Sequence, residues 1–454
     1  MNFHESLEYL YGLGNEVLAM KLGLENIRKL LAALGNPEKK FLKIQVAGTN
    51  GKGSTCAFLD AICVSAGIKT GLYTSPHLVS ITERIKIGGA QISRKDFAEH
   101  AAKIRKVSEE LVENGKRITE NERSKIQNPK SKIYLETVPT FFEQMTAIAL
   151  SFFAEAGVEL AILETGLGGR FDATTAARAK IAAITPVDYD HQKILGDTLE
   201  EIAAEKAAII RENMKVVIAE QRDAARKIIF ARRDKFGITS QQTNFPAKIV
   251  GKNHRKFIVN FQTKKAEYKN ICLSLAGRHQ IENAKTAILL AEILQDYFQL
   301  KSADIITGLQ TATHNGRLEF RENFLFDGAH NIGGAKALRE FLDEFVKEKI
   351  TLVFGAMRDK DLSEIAVILF PKADRIIFTE PANPRSLTTE ELIKFLPEDF
   401  NGKNVFQTKN VKNAIEKARE ISSENHLILV TGSLYLIGEA QKQLAQKNKN
   451  QAAG

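Results

Sequence analysis

Residues 43–66 read KIQVAGTNGKGSTCAFLDAICVSA. A short apolar run, 43–47, leads into glycines at 48, 51 and 53. From Ser54 onward Phe58, Leu59, Ile62, Cys63 and Ala66 recur at helical spacing. A strand, a glycine turn and an amphipathic helix in that order form the first half of a parallel βαβ unit. The pattern repeats along the chain. Further strands are predicted at 159–164, 181–185 and 215–219, with helices at 54–66, 94–112, 140–156, 198–211 and 278–296. Between 247 and 275 short strands separated by Asn/Lys turns predict a small antiparallel extension. A second series starts near 323, with strands at 323–327, 351–354, 375–378 and 427–430. They alternate with helical segments around 334–347, 361–370, 388–396, 410–422 and 434–446. The expected fold class is α/β in two domains, a parallel-rich sheet with its extension and then a Rossmann-like sheet. The chain's 454 residues also favour two cores over one. The Asn315-Gly316 turn within TATHNGRLEF (311–320) sets the expected domains at 1–313 and 314–454.

Composition excludes several classes. At 44% hydrophobic and 26% charged residues the chain reads as an ordinary soluble domain protein. MNFHESLEYL carries acids early and is not expected to be a leader, and TAIALSFFA (146–154) is too short to span a bilayer. Cys56, Cys63 and Cys272 have neither metal nor disulfide spacing, so a cytoplasmic protein is expected. Net charge is +9, which suits nucleic acid or small anions. Part of that excess lies in 116–132 and in the tail KQLAQKNKNQAAG, expected to be solvated and flexible. No aromatics interleave those lysines, so no nucleic-acid partner is expected.

Three stretches carry chemistry. The loop VAGTNGKGST (46–55) places free N–H groups, a helix N-terminus and Lys52 where an anion would sit. Its spelling departs from GxxxxGK[ST], and a turn without ligand is the plain alternative. In LAILETGLGGRFDATT a buried-type strand ends in Glu164, and ligands gather beyond the carboxyl ends of such strands. A carboxylate beside a phosphate loop suggests Mg²⁺; a capping or surface acid is the alternative. In DYDHQKILGDTLEEIAAEKAAII (188–210), Leu199, Ile202, Ala203, Lys206, Ile209 and Ile210 form one stripe, so Lys206 lies on an apolar face. Burial lowers a lysine's pKa, and a neutral amine can add CO₂ to become an anionic carbamate. Snorkelling or pairing with an acid competes with that reading, and His191 is either a metal ligand or a structural hydrogen bonder. In the second series, Asp327 and His330 follow the strand NFLF. Arg317 stands in the linker, as a phosphate clamp or a surface arginine.

VAGTNGKGST, GLYTSPHL, TERIKIGG, LETGLGGRFDAT, DYDHQKILGDTLEEIAAEKA, GRHQIENA, GRLEF, FDGAHN, FGAMRDKD and GSLYLIGEA together resemble the folylpolyglutamate synthase/dihydrofolate synthase family of the Mur ligase superfamily. They occur in the family's order over nearly the whole chain. The resemblance implies a Mur-ligase-type P-loop ATPase domain followed by a glutamate ligase domain. It implies ATP bound by Thr49, Asn50, Gly51, Lys52, Gly53, Ser54, Asn283, Arg317, Asp327 and His330. It implies one Mg²⁺ on Ser75 and Glu164, a second on Glu164, His191 and carbamylated Lys206, and a potassium ion. Thr140, Phe141, Phe142, Phe171, Asp172 and Ala173 correspond to pterin-binding positions. Lys52, Lys206 and His330 form the expected catalytic set. Two positions depart from the family: Thr175 replaces an asparagine, with an effect expected on the folate pocket, and Ile332 replaces a proline, changing how a helix starts.

The expected reaction activates a substrate carboxylate as an acyl phosphate, which the L-glutamate amine then attacks, in a monomer that needs neither membrane nor nucleic acid. A cell-wall Mur ligase would want a UDP-binding domain ahead of the loop, which already begins near residue 48. A nucleotide switch or nucleic-acid motor would want a GK[ST] loop and a basic track. A non-catalytic binding protein would have no use for two sets of metal ligands.

Overall fold

The computed structural model describes residues 1–14, 23–122, 138–358, 360–398, 400, 402–423 and 425–452. The first sheet contains β1 (Leu42–Ala47), β2 (Thr70–Tyr73), β3 (Ile85–Ile87), β4 (Ala90–Gln91), β5 (Leu160–Glu164), β6 (Ile181–Ile184), β7 (Lys215–Ile218) and β8 (Ser240–Gln242). Their order is β4-β3-β2-β5-β1-β6-β7-β8. Pairing is parallel except at β2–β3 and β3–β4. β5 and β6 are almost wholly buried, which is why they read as continuous apolar runs rather than alternating ones; β1 is buried as well, with Lys43 donating to the Phe41 carbonyl and Gln45 to the Thr174 and Thr175 hydroxyls. Register has a direct consequence for the site. Val46 lies opposite both Glu164 of β5 and Ala183 of β6. The glycine loop after β1 and the carboxylate ending β5 therefore emerge side by side.

The small antiparallel sheet is β9 (Ala247–Asn253), β10 (Lys256–Gln262) and β11 (Glu267–Cys272). Its Phe257, Phe261 and Tyr268 join the core that holds the helices Lys52–Ser65 and His279–Leu294. It also braces the second domain. The Phe257 ring meets Phe345 edge-on at 5.1 Å, and Lys252 pairs with Glu344 at 2.7 Å. The last sheet comprises β12 (Glu319–Arg321), β13 (Phe324–Asp327), β14 (Lys349–Phe354), β15 (Arg375–Thr379), β16 (Val405–Thr408) and β17 (His426–Thr431). Its order is β12-β13-β17-β14-β15-β16, and only β12–β13 is antiparallel.

Several elements differ from expectation. The helix at 94 continues to Glu122; of the charged stretch 116–132, residues 123–132 lie outside the described residues. The helix expected over 198–211 stops at Ala207, because Asn213 turns the chain with positive φ into β7. Ile209 and Ile210 are buried beyond that helix rather than on its stripe. The final helix, Leu434–Ala452, runs past 446 through Lys447, Lys449, Gln451 and Ala452, good helix formers that outweigh Asn448 and Asn450, so the tail is helical to there instead of loose. The segment expected as a helix at 388–396 is one turn, Thr389–Leu392, tightening to a 3₁₀ turn at Ile393–Phe395. β2, at only four residues, carried too little pattern to read. Among the described residues no helix is long and apolar enough to cross a membrane.

Candidate active site

The glycine loop is shaped by what surrounds it. Gly48 and Gly51 have φ of 152° and 86°, conformations that L side chains rarely adopt. Space forbids a side chain as well: a Cβ on Gly48 would lie 1.9 Å from Thr185 Oγ1, and one on Gly51 2.2 Å from Asn283 Oδ1. The helix starts at Lys52, two residues before the expected Ser54, with Gly51 as its N-cap. Its first N–H groups are thus free for an anion. Lys52 Nζ donates to the carbonyls of Gly48 (3.1 Å) and Thr49 (3.2 Å). The Thr49 hydroxyl is engaged with the backbone of Asp188.

Ser54 Oγ accepts from Gln280 Nε2 at 3.2 Å and meets His314 Nδ1 at 3.1 Å. Asn283 Nδ2 donates to Gln280 Oε1 at 2.9 Å, so the GRHQIENA helix and the interdomain linker both reach the loop. Burial, then the charge of Arg317, pushes His314 down to about 3 and His279 down to about 4, so both imidazoles are neutral. Glu164 is 6% exposed and accepts from the Ser75 amide at 3.3 Å. Burial raises its carboxyl, against the opposing charge of Lys52.

Lys206 is 4% exposed, and its Nζ donates to the Gly48 carbonyl at 2.9 Å. Burial first, and Lys52 second, lowers its pKa to about 7. A sizeable share of the amine is therefore neutral near pH 7, as carbamate formation requires. His191 adopts positive φ (52°) at the start of a short turn. Burial lowers its pKa to about 4, though Asp190 opposes the shift.

Asp190 is the residue that the motif reading passed over. Lys360 of the second domain donates to its Oδ1 at 2.6 Å, with both side chains 10% exposed. Asn331 Nδ2 reaches its Oδ2 at 3.3 Å and Asn50 Oδ1 at 3.0 Å, and His330 Nε2 is 3.8 Å away. Burial alone would raise the Asp190 carboxyl. The neighbouring His330 imidazole and the Lys360 charge outweigh it, and the group stays far below the usual carboxylate range. Asp190, Asn331 and Lys360 all fall within quoted motifs, but only the fold brings them together.

Asp327 accepts from the amides of Leu318 and Ala329, both at 3.0 Å. Burial raises its pKa, and Arg317 opposes that shift most. His330 Nδ1 faces the Gly328 carbonyl at 2.7 Å. Asn331 caps the helix at Ile332, its side chain accepting from Gly334 at 2.8 Å, so that helix begins without proline.

One cavity of about 530 Å³ collects these groups. Every expected ATP, metal and pterin position lines it, including Ser75, Thr140, Phe142, Ala173 and Arg317. Three of the pterin positions have evident structural duties. Phe141 is 2% exposed and stacks on Tyr11 at 5.8 Å. Thr140 caps its helix through Glu143. Asp172 accepts from the amides of Gly166 and Leu167 and so holds the glycine turn after β5. Phe171, 42% exposed, lies at the rim. Thr175 does not line the cavity; its buried hydroxyl donates to Gly169 O and accepts from Gln45.

Among the described residues no three His, Cys, Asp or Glu side chains converge on a metal position. Glu164 with a serine hydroxyl still suits Mg²⁺, which keeps several waters and takes phosphate oxygens. His191 and Lys206 fit a cation only if the lysine becomes an anion.

Comparison with known proteins agrees with this arrangement. Residues 46–291 match the Mur ligase middle domain, and 316–434 the Mur ligase glutamate ligase domain. The chain is 33% identical to a dihydrofolate synthase/folylpolyglutamate synthase of Bacillus subtilis, covering 95% of this chain and 97% of that one. It superposes on Mycobacterium tuberculosis folylpolyglutamate synthase complexed with ADP at a TM-score of 0.86, with 28% identity and 97% of each chain covered. A bifunctional folylpolyglutamate synthase/dihydrofolate synthase with Mn, AMPPNP and L-glutamate bound superposes at 0.80, with 27% identity over 98% of each chain.

Proposed function

The chain belongs to the folylpolyglutamate synthase/dihydrofolate synthase family of the Mur ligases, and from that premise we propose that it joins L-glutamate both to dihydropteroate and to the γ-carboxylate of folates. It is an ATP-dependent ligase, and its products are an amide, ADP and phosphate. The observation that carries this reading is the single cavity in which the glycine loop, Glu164 and an aromatic wall meet residues of the second domain. A nucleotide switch has no use for that wall.

The residues divide the work. Backbone amides of the loop and Lys52 hold the ATP phosphates, and Lys52 meets charge that grows as the γ-phosphoryl group moves to the substrate carboxylate. Arg317, Asp327, Asn283 and His330 grip the nucleotide from the linker and second domain. Phe142 and Phe171 flank the pterin, held beside the loop by the turn that Asp172 organises. Closure of the two domains keeps water from the acyl phosphate until the glutamate amine attacks. A divalent cation, when bound, supplies charge neutralisation between the phosphates and the substrate carboxylate. Ser75 and Glu164 would hold one such ion, and His191 and Lys206 as its carbamate, with Glu164, a second. The burial of Lys206 and its lowered pKa support the modification. The expected potassium ion is assigned no residues.

The domain division at 313/314 is drawn between the helix Ser302–Thr311 and β12. A reducing cytoplasm is consistent with the free cysteines Cys56, Cys63 and Cys272, and the chain is proposed to act there as a monomer. The test is ATP turnover with Mg²⁺ and L-glutamate, offering dihydropteroate and tetrahydrofolate in separate reactions. Amide product from both supports the proposal. Product from one alone removes bifunctionality, and product from neither removes the assignment.

A further inference from the structure

A second cavity, of about 220 Å³, shares only Gly53 and His314 with the catalytic cleft. Its other walls include Asp60, Thr74, Lys86 and Thr311. Asp60 sits inside the helix Lys52–Ser65 and is 7% exposed. Among the described residues its Oδ1 has no hydrogen-bond partner, a costly state for a buried carboxylate. Burial pushes its pKa up to about 6, opposed by the charge of Lys86. Two helices also end on this space. Ser65 closes the loop helix, Thr311 closes Ser302–Thr311, and both residues line the cavity. The carbonyl-rich end of a helix carries partial negative charge, so the floor around Asp60 attracts a cation.

Lys86, on β3, lines the same cavity from a partly exposed position. Its charge is felt at Asp60, and among the described residues no ion pair joins the two. Opposite charges held apart across a space of this size match a molecule that carries both. A bare metal ion would be repelled by Lys86, and a nucleotide would meet too little positive charge.

We propose that this cavity binds a free α-amino acid, its ammonium group against Asp60 and the helix ends and its carboxylate against Lys86. The occupant would act on the ligase through the shared wall. His314 faces the cavity and contacts Ser54 Oγ of the phosphate loop at 3.1 Å. An amino acid packed against that imidazole stiffens the loop and alters its affinity for nucleotide.

Glycine is the probe, because it carries both charged groups and is not the substrate. Calorimetric titration of the full chain, saturated with ADP, is carried out with glycine, methylammonium and acetate in separate runs. Glycine should bind at millimolar concentrations, and each single-charge probe at least tenfold more weakly. Asp60→Asn and Lys86→Met should each weaken glycine binding at least tenfold while leaving the affinity for ADP, titrated without any amino acid, unchanged. No binding to the unsubstituted chain overturns the proposal. So does glycine binding that is insensitive to both substitutions, which would put it outside this cavity. If Asp60→Asn does not fold, Lys86→Met decides alone. No turnover is needed for the titration, so its outcome is independent of the substrates assigned above.

Discussion

Replacing Lys360 with methionine tests whether the Asp190–Lys360 pair holds the two domains together. The substitution keeps side-chain length and apolar volume and removes one charge. The pair is 2.6 Å long, with both side chains 10% exposed. Removing one partner of a buried pair costs about 3–5 kcal/mol, because the remaining charge is left without compensation. Asn331 and His330 also reach the Asp190 carboxylate, so the lower end, about 3 kcal/mol, applies. Asp190 precedes the helix Leu199–Ala207 in the first domain, and Lys360 follows β14 in the second. The cost therefore falls on the closed arrangement rather than on either core. A penalty of about 3 kcal/mol corresponds to roughly a 100-fold fall in kcat/KM for ATP, with little change in melting temperature. Small-angle scattering in the presence of nucleotide should show a larger radius. Adding Asp190→Asn should recover part of the loss, since that variant leaves no stranded charge. A Lys360→Met enzyme within threefold of the parent, with the same scattering profile, would refute the reasoning.

Lys52→Ala should leave the circular dichroism spectrum intact and abolish ATP-dependent ligation; near-normal turnover would remove the loop from the catalytic site. Arg317→Ala and Asp327→Asn should each raise the KM for ATP, and a nucleotide-bound structure with both residues remote from ATP would contradict this. Gly51→Ala should abolish nucleotide binding measured by titration, because its Cβ would meet Asn283 Oδ1 at 2.2 Å and its φ is 86°. His314, held near pKa 3 when folded against about 6.5 when unfolded, takes up its proton preferentially on unfolding. Stability should thus fall as pH drops from about 6.5 towards 3 and be insensitive to this group above that window. The contribution is up to about 5 kcal/mol. His314→Asn should flatten that part of the profile of melting temperature against pH, and an unchanged slope would exclude His314 as a source.

Local pattern carried much of the fold. β5, β6 and β7 were legible because each is a nearly contiguous apolar run, and an apolar run with turn signals at its ends is the signature of a strand covered on both faces; β1 was legible from Ile44, Val46 and Ala47 leading into the glycine turn. The helix Phe141–Glu155 was legible from its apolar residues, and the structure adds a Thr140/Glu143 capping box at its start. The helix over 198–211 was read too long because Ile209 and Ile210 keep the apolar rhythm after the backbone has turned. Burial periodicity and hydrogen bonding part company there, and sequence reports only the first.

The glycine loop, Glu164 and Lys206 were each identifiable from their neighbours in the chain, since strand ends, glycine turns and an apolar helix face are local properties. Their assembly was not local. Parallel pairing of β1 with β5 set Val46 against Glu164 and so put loop and carboxylate side by side. Docking of the second sheet brought Lys360 and Asn331 onto Asp190, a contact spanning 170 residues of chain for the lysine. It turned an unremarked aspartate into the junction of two domains. No periodicity within one segment encodes such a meeting. Chemical identity is written along the chain, whereas the electrostatics of a site depend on which distant charges the packed core brings within a few ångströms and shields from water.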